Sequence, residues 1–429
     1  MNCKELALLL ENGRLDGRIA EISGVGRLEG TKERYLRIIG EFAERYGADR
    51  EIRLYSVPGR SELSGNHTDH NRGKVIAGSV DLDIIAAASP SEGPVVRVKS
   101  EGFPEDSVDL SSYLSPDPAR FGRSESLIAG VSSGLRARGY EVGGFDAVTT
   151  SNVLKGSGLS SSAAFENMIG LITSDIYSGG PLGFVELAQI SQYAENVFFG
   201  KPCGLMDQVA CAAGGEVAID FADPAAPVTE KLSFDFSAAG YRLCIINTGG
   251  NHADLTADYA AVPAEMKAAA AFFGKEALRD VDESEFVRAI PALREAAGDR
   301  AVLRAIHFFE ENRRVDIQRK ALREGNLDLY LENVLKSGRS SYCYLQNVFS
   351  TADPSSQGVS LALCLCEKLL SNLPKRAAWR VHGGGFAGTV QAYMPDEAVE
   401  EFHKEIEKVF GAGSVYMLKI RQTGAVRVV

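Results

Sequence analysis

The chain has 429 residues, more than one ordinary hydrophobic core accommodates, so two domains are expected. Its composition, 45% hydrophobic and 24% charged, is that of a globular protein and excludes a fibrous or disordered chain. A net charge of −11 and a pI of about 5.3 argue against nucleic acid as a partner but leave nucleotides open, because local loops bind those.

The N-terminal stretch MNCKELALLLENGRLDG sets Lys4, Glu5 and Glu11 around a short apolar run and predicts an amphipathic helix, not a signal peptide. Residues 31–47 place Tyr35, Ile38, Ile39 and Phe42 at helical spacing. EIRLYSVPGR then predicts a strand ending at Pro58-Gly59. Further strands are expected over 74–89, with Asp81 and Asp83 on one face, over 95–102 and over 145–153. Helices are expected over 124–139, stopped by Gly139, and over 158–178, a long apolar-faced segment that opens with glycine and serines. The prolines and small residues of ADPAAPVTE (222–230) mark a domain boundary. The division expected is a helical extension over 1–30, an N-terminal domain over 31–225 and a C-terminal domain over 226–429.

Beyond that boundary come a strand at 241–250, a helix at 261–274 and a helix-rich region at 301–336. Residues 377–395 predict strand, glycine turn and strand, followed by a helix over 396–411 and a closing strand. Strands do not alternate strictly with helices, so the class is α+β. VSLALCLC (359–366) is far too short to cross a bilayer, and no membrane partner is expected. Seven cysteines, an odd number in mostly apolar settings, predict neither a disulfide framework nor a zinc site, and point to a reducing cytoplasm.

Four stretches carry polar chemistry. In PGRSELSGNHTDHNRG (58–73), six hydrogen-bonding side chains follow one another between glycines, which suits either an exposed turn or a polar grip at a strand end. In LKGSGLSSSAAFEN (154–167), glycines and serines precede a helix; the junction is either a phosphate site or a plain serine N-cap. It is neither a Walker A loop nor a dinucleotide fingerprint, for the required residues do not follow. YAENVFFGKPCGLMDQVACAAGG (193–215) offers Glu195 in an apolar helix and Asp207 after a Pro-Cys-Gly turn. HGGGFAGTV (382–390) carries more glycine than a hairpin requires.

Together and in this order, the four stretches resemble the GHMP small-molecule kinases, and within them the galactokinases, from about residue 30 to the end of the chain. RAIHFFEENRRV (304–315) adds a weaker match. The resemblance implies a two-domain fold, with an N-terminal mixed-sheet domain, a C-terminal α+β domain and the active site between them. It implies an ATP-dependent sugar 1-kinase using Mg2+. Asp207 would stand next to the anomeric hydroxyl with Arg60 beside it, keeping it ionised. Ser161 and Glu195 would hold magnesium, and Gly156, Ser157, Gly158, Leu159, Ser160, Ser161 and Ser162 would wrap the ATP phosphates. Asn66, His67, Asp69, Gly204 and Tyr259 would bind the sugar, Asp69 as a bare acceptor for two neighbouring hydroxyls.

The chain departs from the family pattern in places. Galactokinases usually carry Glu, which accepts the hydroxyl on the sugar's C6, where this chain has Asn66. His70 replaces a usual Tyr, Asn251-His252 a basic-His pair and His382 a small hydroxyl residue, while Ala387 interrupts the glycine run. Galactose is therefore the first expected substrate, with galacturonic acid, arabinose or another galactose-like sugar as the variant. A non-catalytic sugar sensor is the competing class; the intact GLSSSAA, Glu195 and Asp207 argue against it. A mevalonate or homoserine kinase is disfavoured, since NHTDHN resembles the sugar motif.

Overall fold

Two long neighbouring strands organise the first half of the protein. The computed structural model describes residues 1–113, 115–153, 158–250 and 255–429. Strands β1 (Arg53–Ser64) and β2 (Lys74–Pro90) pair antiparallel along most of their length. They are joined by β3 (Val95–Ser100), β4 (Glu105–Asp109), β5 (Phe145–Ser151), β6 (Glu216–Asp220) and β7 (Val228–Leu232). β2 pairs with β5 and also with β6, which carries β7, and β5 leads on to β3 and β4. The β3–β5 contact is parallel and the rest antiparallel, so the sheet is mixed, as the sequence resemblance implies.

Both faces of this sheet are covered, and β1 and β2 are buried along almost their whole length, polar residues included. Successive residues point to opposite faces. Leu54, Ile85 and Ala87 pack with Leu6, Leu10, Tyr35, Ile38 and Phe42, from α1 (Cys3–Glu11) and α3 (Leu28–Tyr46), with α2 (Asp16–Ser23) between them in the chain. The first 30 residues are thus part of this domain's packing, and the single helix expected there is two. Tyr55, Val57, Ile84 and Ala86 pack on the other face, with Ile128, Met168 and Ile190 from α4 (Ser124–Ala137), α5 (Ser161–Tyr177) and α6 (Phe184–Tyr193). A π-helical segment (Ala194–Phe199) and α7 (Met206–Ala213) complete that layer.

The second half is built on a smaller antiparallel sheet. Its strands β8 (Tyr241–Asn247), β9 (Ala378–His382), β10 (Thr389–Pro395) and β11 (Val415–Leu418) lie in the order β11-β8-β10-β9. Between β8 and β9 the chain forms α8 (Thr256–Phe272), α9 (Glu283–Ala297), α10 (Asp299–Arg323), α11 (Leu327–Ser340) and α12 (Gly358–Leu370); α13 (Val399–Phe410) follows β10. The last strand, β12 (Val426–Arg427), returns to the first sheet and pairs with Tyr55 and Ser56 of β1. No helix among the described residues is long and apolar enough to cross a membrane.

Two expectations shift. The first sheet continues past residue 226, because β7 pairs with β6, so a cut at 225/226 would separate two hydrogen-bonded strands. The strand expected to end at Pro58-Gly59 runs on to Ser64, with irregular register between Pro58 and Arg60 and again between Glu62 and Ser64. At the first irregularity the Arg60 amide bonds to the Leu159 carbonyl at 3.1 Å. A side chain on Gly59 would meet that carbonyl at 2.7 Å, so glycine is what lets the 158–160 loop cross the strand.

The two sheets are joined by buried charge. Glu62 of β1 and Arg380 of β9 form an ion pair at 2.8 Å, with side chains 4% and 0% exposed. Arg380 also donates to the Glu62 carbonyl, which accepts from Gln391 of β10 as well. Removing one partner strands the other charge in the interior. Arg380→Leu is predicted to lose about 3–5 kcal/mol of stability in urea unfolding, and to lose less when combined with Glu62→Gln. An Arg380→Leu protein as stable as the parent would contradict a structural role for the pair.

Candidate active site

Asp207 lies in the first turn of α7, where the helix dipole favours a negative charge. Arg60, on the irregular part of β1, donates from Nε to Asp207 Oδ1 at 2.7 Å and reaches the same oxygen from a terminal nitrogen at 2.6 Å. The Ser160 hydroxyl donates to Asp207 Oδ2, and Arg60 also donates to the Gly158 carbonyl. Burial opposes ionisation of Asp207, but the Arg60 charge and the bonds from Ser160 and Arg60 outweigh it and hold the carboxyl below its ordinary value. Arg60 is buried, whereas the Asp207 side chain is 30% exposed and open to a ligand.

The serine stretch bends sharply. Gly158 and Ser160 both have left-handed backbone (φ +69° and +57°), and α5 begins at Ser161. Ser160 makes no side-chain cap bond to the helix, because its hydroxyl is committed to Asp207. The first-turn amides of α5 therefore face outward beside Gly158 and Leu159, which weighs toward an anion site over a serine N-cap. Gly156 and Ser157, also assigned to that loop, lie outside the described residues, as do Asn251 and His252. His382 sits beneath the loop, its ring within 3.1 Å of the Ser61 and Thr389 hydroxyls, and a side chain on Gly158 would meet its Nδ1.

Glu195 projects from the π-helical segment, a widened turn of the kind that recurs at functional sites. Its side chain is buried, and Oε1 accepts from Ser162 at 3.2 Å and from the Lys201 ammonium at 2.8 Å. The hydroxyl that meets Glu195 is thus that of Ser162, not Ser161. The reason is rotational: α5 starts at Ser161, and one further residue turns the side chain by about 100°. A carboxylate and a hydroxyl suit a hard cation that keeps phosphate and water in its remaining positions, as Mg2+ does. Among the described residues there is no group of three or more His, Cys, Asp and Glu that could hold a metal ion.

The polar loop at 66–71 is drawn inward. His67, in left-handed conformation, has Nε2 2.9 Å from the Gly384 carbonyl. Asp69 lies against Gly204, where any Cβ would fall 1.8 Å from its Oδ2, so the loop after the π segment approaches only because residue 204 is glycine. Tyr259 donates its hydroxyl to the Gly385 carbonyl at 2.9 Å and packs edge-on against Phe386. Burial pushes its phenol up to about 12, so it acts as a neutral hydroxyl. The glycine turn is as crowded as the sequence suggests: a side chain on Gly384 would strike Tyr259, and one on Gly385 the Asn347 carbonyl at 2.0 Å.

Asn66 departs from its expected place. It is fully buried, with Nδ2 donating to Gly383 at 2.7 Å and to the Glu62 carboxylate at 3.1 Å. Its Oδ1 accepts from Asn347 at 3.0 Å, and its backbone carbonyl meets His307 Nε2 at 2.9 Å. With both amide protons and the carbonyl engaged by protein groups, the side chain braces the loop from behind. Glu62, Asn347, His307 and Lys201 all went unassigned from sequence. Their partners lie on distant segments, apart from Asn66, four residues from Glu62, and Glu195, six residues from Lys201, a pair that a loop lysine after a helical Glu would have suggested.

Known proteins resemble this chain over most of its length. Residues 40–90 match the galactokinase galactose-binding signature, and residues 126–215 match the GHMP kinases N-terminal domain. The chain is 33% identical over 385 residues to a galactokinase of Streptomyces coelicolor, covering 88% of this chain and 93% of that one. It is 32% identical over 370 residues to a galactokinase of Actinobacillus pleuropneumoniae serotype 5b, covering 85% and 91%. The crystal structure of Lactococcus lactis galactokinase complexed with galactose superposes with a TM-score of 0.76 at 25% identity, over 90% of this chain and 98% of that one. A mevalonate kinase of Methanococcus jannaschii shares the fold alone, with a TM-score of 0.60 at 14% identity over 86% and 98%.

Burial pushes the His67 imidazole down from its ordinary 6.5 to about 4, against the pull of the Gly384 carbonyl. Between those values the unfolded chain binds a proton that the folded protein does not, so His67 makes stability fall as the pH drops from 6.5 toward 4, and has no effect above that window. His67→Gln is predicted to flatten that limb in urea unfolding across the same range. An identical pH dependence in the variant would contradict a half-buried His67 that stays neutral over this range.

Proposed function

The chain belongs to the galactokinase family of GHMP kinases, and from that premise we propose that it transfers the γ-phosphoryl group of ATP to the anomeric hydroxyl of galactose. The observation that carries the reading is Asp207 held by Arg60 and Ser160 at the start of the helix next to the serine loop. The anomeric oxygen attacks phosphorus, the bond from phosphorus to the β,γ-bridging oxygen breaks, and ADP leaves. Asp207 receives the hydroxyl proton. A carboxylate held below its ordinary value is a weak base toward a free alcohol, so the proton moves late, once the oxygen has begun to bond to phosphorus. That timing suits the loose transition state of phosphoryl transfer, in which alignment and charge stabilisation dominate.

Arg60 keeps Asp207 ionised and aimed, and its charge lies where the transferring group gains negative charge. Gly158, Leu159, Ser160 and the first turn of α5 supply backbone amides for the phosphates. Ser162 and Glu195 fit the magnesium of the nucleotide, which when bound neutralises charge on the β- and γ-phosphates. His67, Asp69 and Tyr259 orient the sugar, with Gly204 leaving room for the Asp69 carboxylate.

One observation favours a second reading of the substrate. Asn66, at the position where relatives carry a carboxylate for the C6 hydroxyl, spends its hydrogen bonds on Glu62, Gly383 and Asn347. A site that does not grip C6 tolerates galactose-like sugars altered there, such as arabinose or galacturonic acid.

Asp207→Asn is predicted to retain sugar binding by calorimetry while kcat falls about 10²–10⁴-fold, the range for loss of a general base. Turnover within a few-fold of the parent would remove Asp207 from the reaction. A panel of galactose, arabinose and galacturonic acid with ATP, scored by ADP release, decides the substrate. The first reading predicts galactose as the fastest, and a faster C6-altered sugar would establish the second.

A further inference from the structure

Behind Glu195 lie two buried acceptors with no hydrogen-bond partner among the described residues, Oε1 of Glu166 and Oε1 of Gln208. Both side chains are fully buried. The Gln208 amide nitrogen is 2.8 Å from Glu195 Oε2 and 3.2 Å from Glu166 Oε2, so its two protons serve two carboxyl groups. The opposite amide orientation would aim an oxygen at both. Glu195 has its counter-charge in Lys201, but a second ionised carboxylate buried at Glu166 around the same neutral amide would be costly. Burial, reinforced by the charge of Glu195, pushes the Glu166 carboxyl well above its ordinary range. A single proton on Glu166 Oε1 removes both deficits at once. It would neutralise the second carboxyl and supply the donor that Gln208 Oε1 lacks, which would join acid and amide by two opposed hydrogen bonds.

We propose that Gln208 is a positioning residue that holds one oxygen of Glu195 and turns the other toward Ser162, and that Glu166 is what fixes Gln208. The inference rests on the reading of Glu195 as a metal ligand. Gln208 directly follows Asp207, and its backbone carbonyl accepts from Asn167 of α5 at 2.9 Å. One turn of α7 therefore aims Asp207 at Arg60 and Ser160, and Gln208 at Glu195. The spacing between the proton-accepting carboxylate and the metal-binding carboxylate is set by two adjacent residues. Outer groups of this kind orient metal ligands and are sensitive to substitution.

The experiment is Mn2+ binding to the full chain with a non-hydrolysable ATP analogue, followed by electron paramagnetic resonance, with thermal unfolding confirming that each variant is folded. Gln208→Met and Glu166→Leu are expected to weaken Mn2+ binding about 10–100-fold. Glu166→Gln, an uncharged isostere that makes the same paired bonds, is expected to retain the parent's affinity. In Gln208→Met, excess Mg2+ is expected to restore part of kcat with the sugar KM unchanged, which a merely structural defect would not do. Unchanged Mn2+ binding in Gln208→Met, or a loss in Glu166→Gln as large as in Glu166→Leu, overturns the inference while leaving the metal reading intact. Unchanged binding in Glu195→Gln overturns the metal reading and the inference with it.

Discussion

A buried arginine on an irregular strand is the constraint on which this site depends. Arg60 cannot sit inside the protein without a counter-charge, and Asp207 is the carboxylate that meets it. To bring them together, β1 must lose register at Gly59, the serine loop must cross the strand there, and α7 must begin where its first turn faces the strand. Ser160 follows from the same arrangement. With its hydroxyl on Asp207, it leaves the N-terminus of α5 without a side-chain cap. One ion pair thus connects a strand, a loop and two helix N-termini, and it keeps Asp207 ionised.

Around that pair the two domains meet through polar groups. The sugar loop is tied to the second domain's glycine turn by His67 to Gly384 and by Asn66 to Gly383, while Tyr259 holds the turn from its far side. Glu62 and Arg380 lock β1 to the second sheet within the same stretch of chain. A substrate between the domains therefore meets backbone positioned by buried hydrogen bonds, which fits a reaction governed by alignment. It also explains why glycine is required at 204, 384 and 385, where backbone approaches a carboxylate, an aromatic ring and a carbonyl.

Much of this was legible in the sequence, for reasons that differ from residue to residue. Elements with strong periodicity, such as α3 and β2, follow from local pattern, and the serine and glycine motifs announce themselves because their function needs consecutive residues. Arg60 and Asp207 are 147 residues apart, and only the resemblance joined them. That Ser162 and not Ser161 meets Glu195 depends on the residue at which α5 starts, and the left-handed Ser160 sets that. The placement of Asn66 was out of reach: its partners Asn347 and Gly383 are 281 and 317 residues away, and its one local partner, Glu62, is itself held by Arg380 from the second sheet. The strand through Pro58-Gly59 was cut short for a related reason, since the acceptor for the Arg60 amide lies on the serine loop.

The central claim is that Asp207 and Arg60 direct phosphoryl transfer to the anomeric oxygen. Galactose labelled with 13C at the anomeric carbon, incubated with ATP, Mg2+ and the protein, tests this through the 13C and 31P spectra of the product. The account predicts that the labelled carbon becomes coupled to phosphorus as ADP accumulates. A phosphorylated sugar whose labelled carbon shows no coupling, or release of inorganic phosphate with the sugar unchanged, would contradict it.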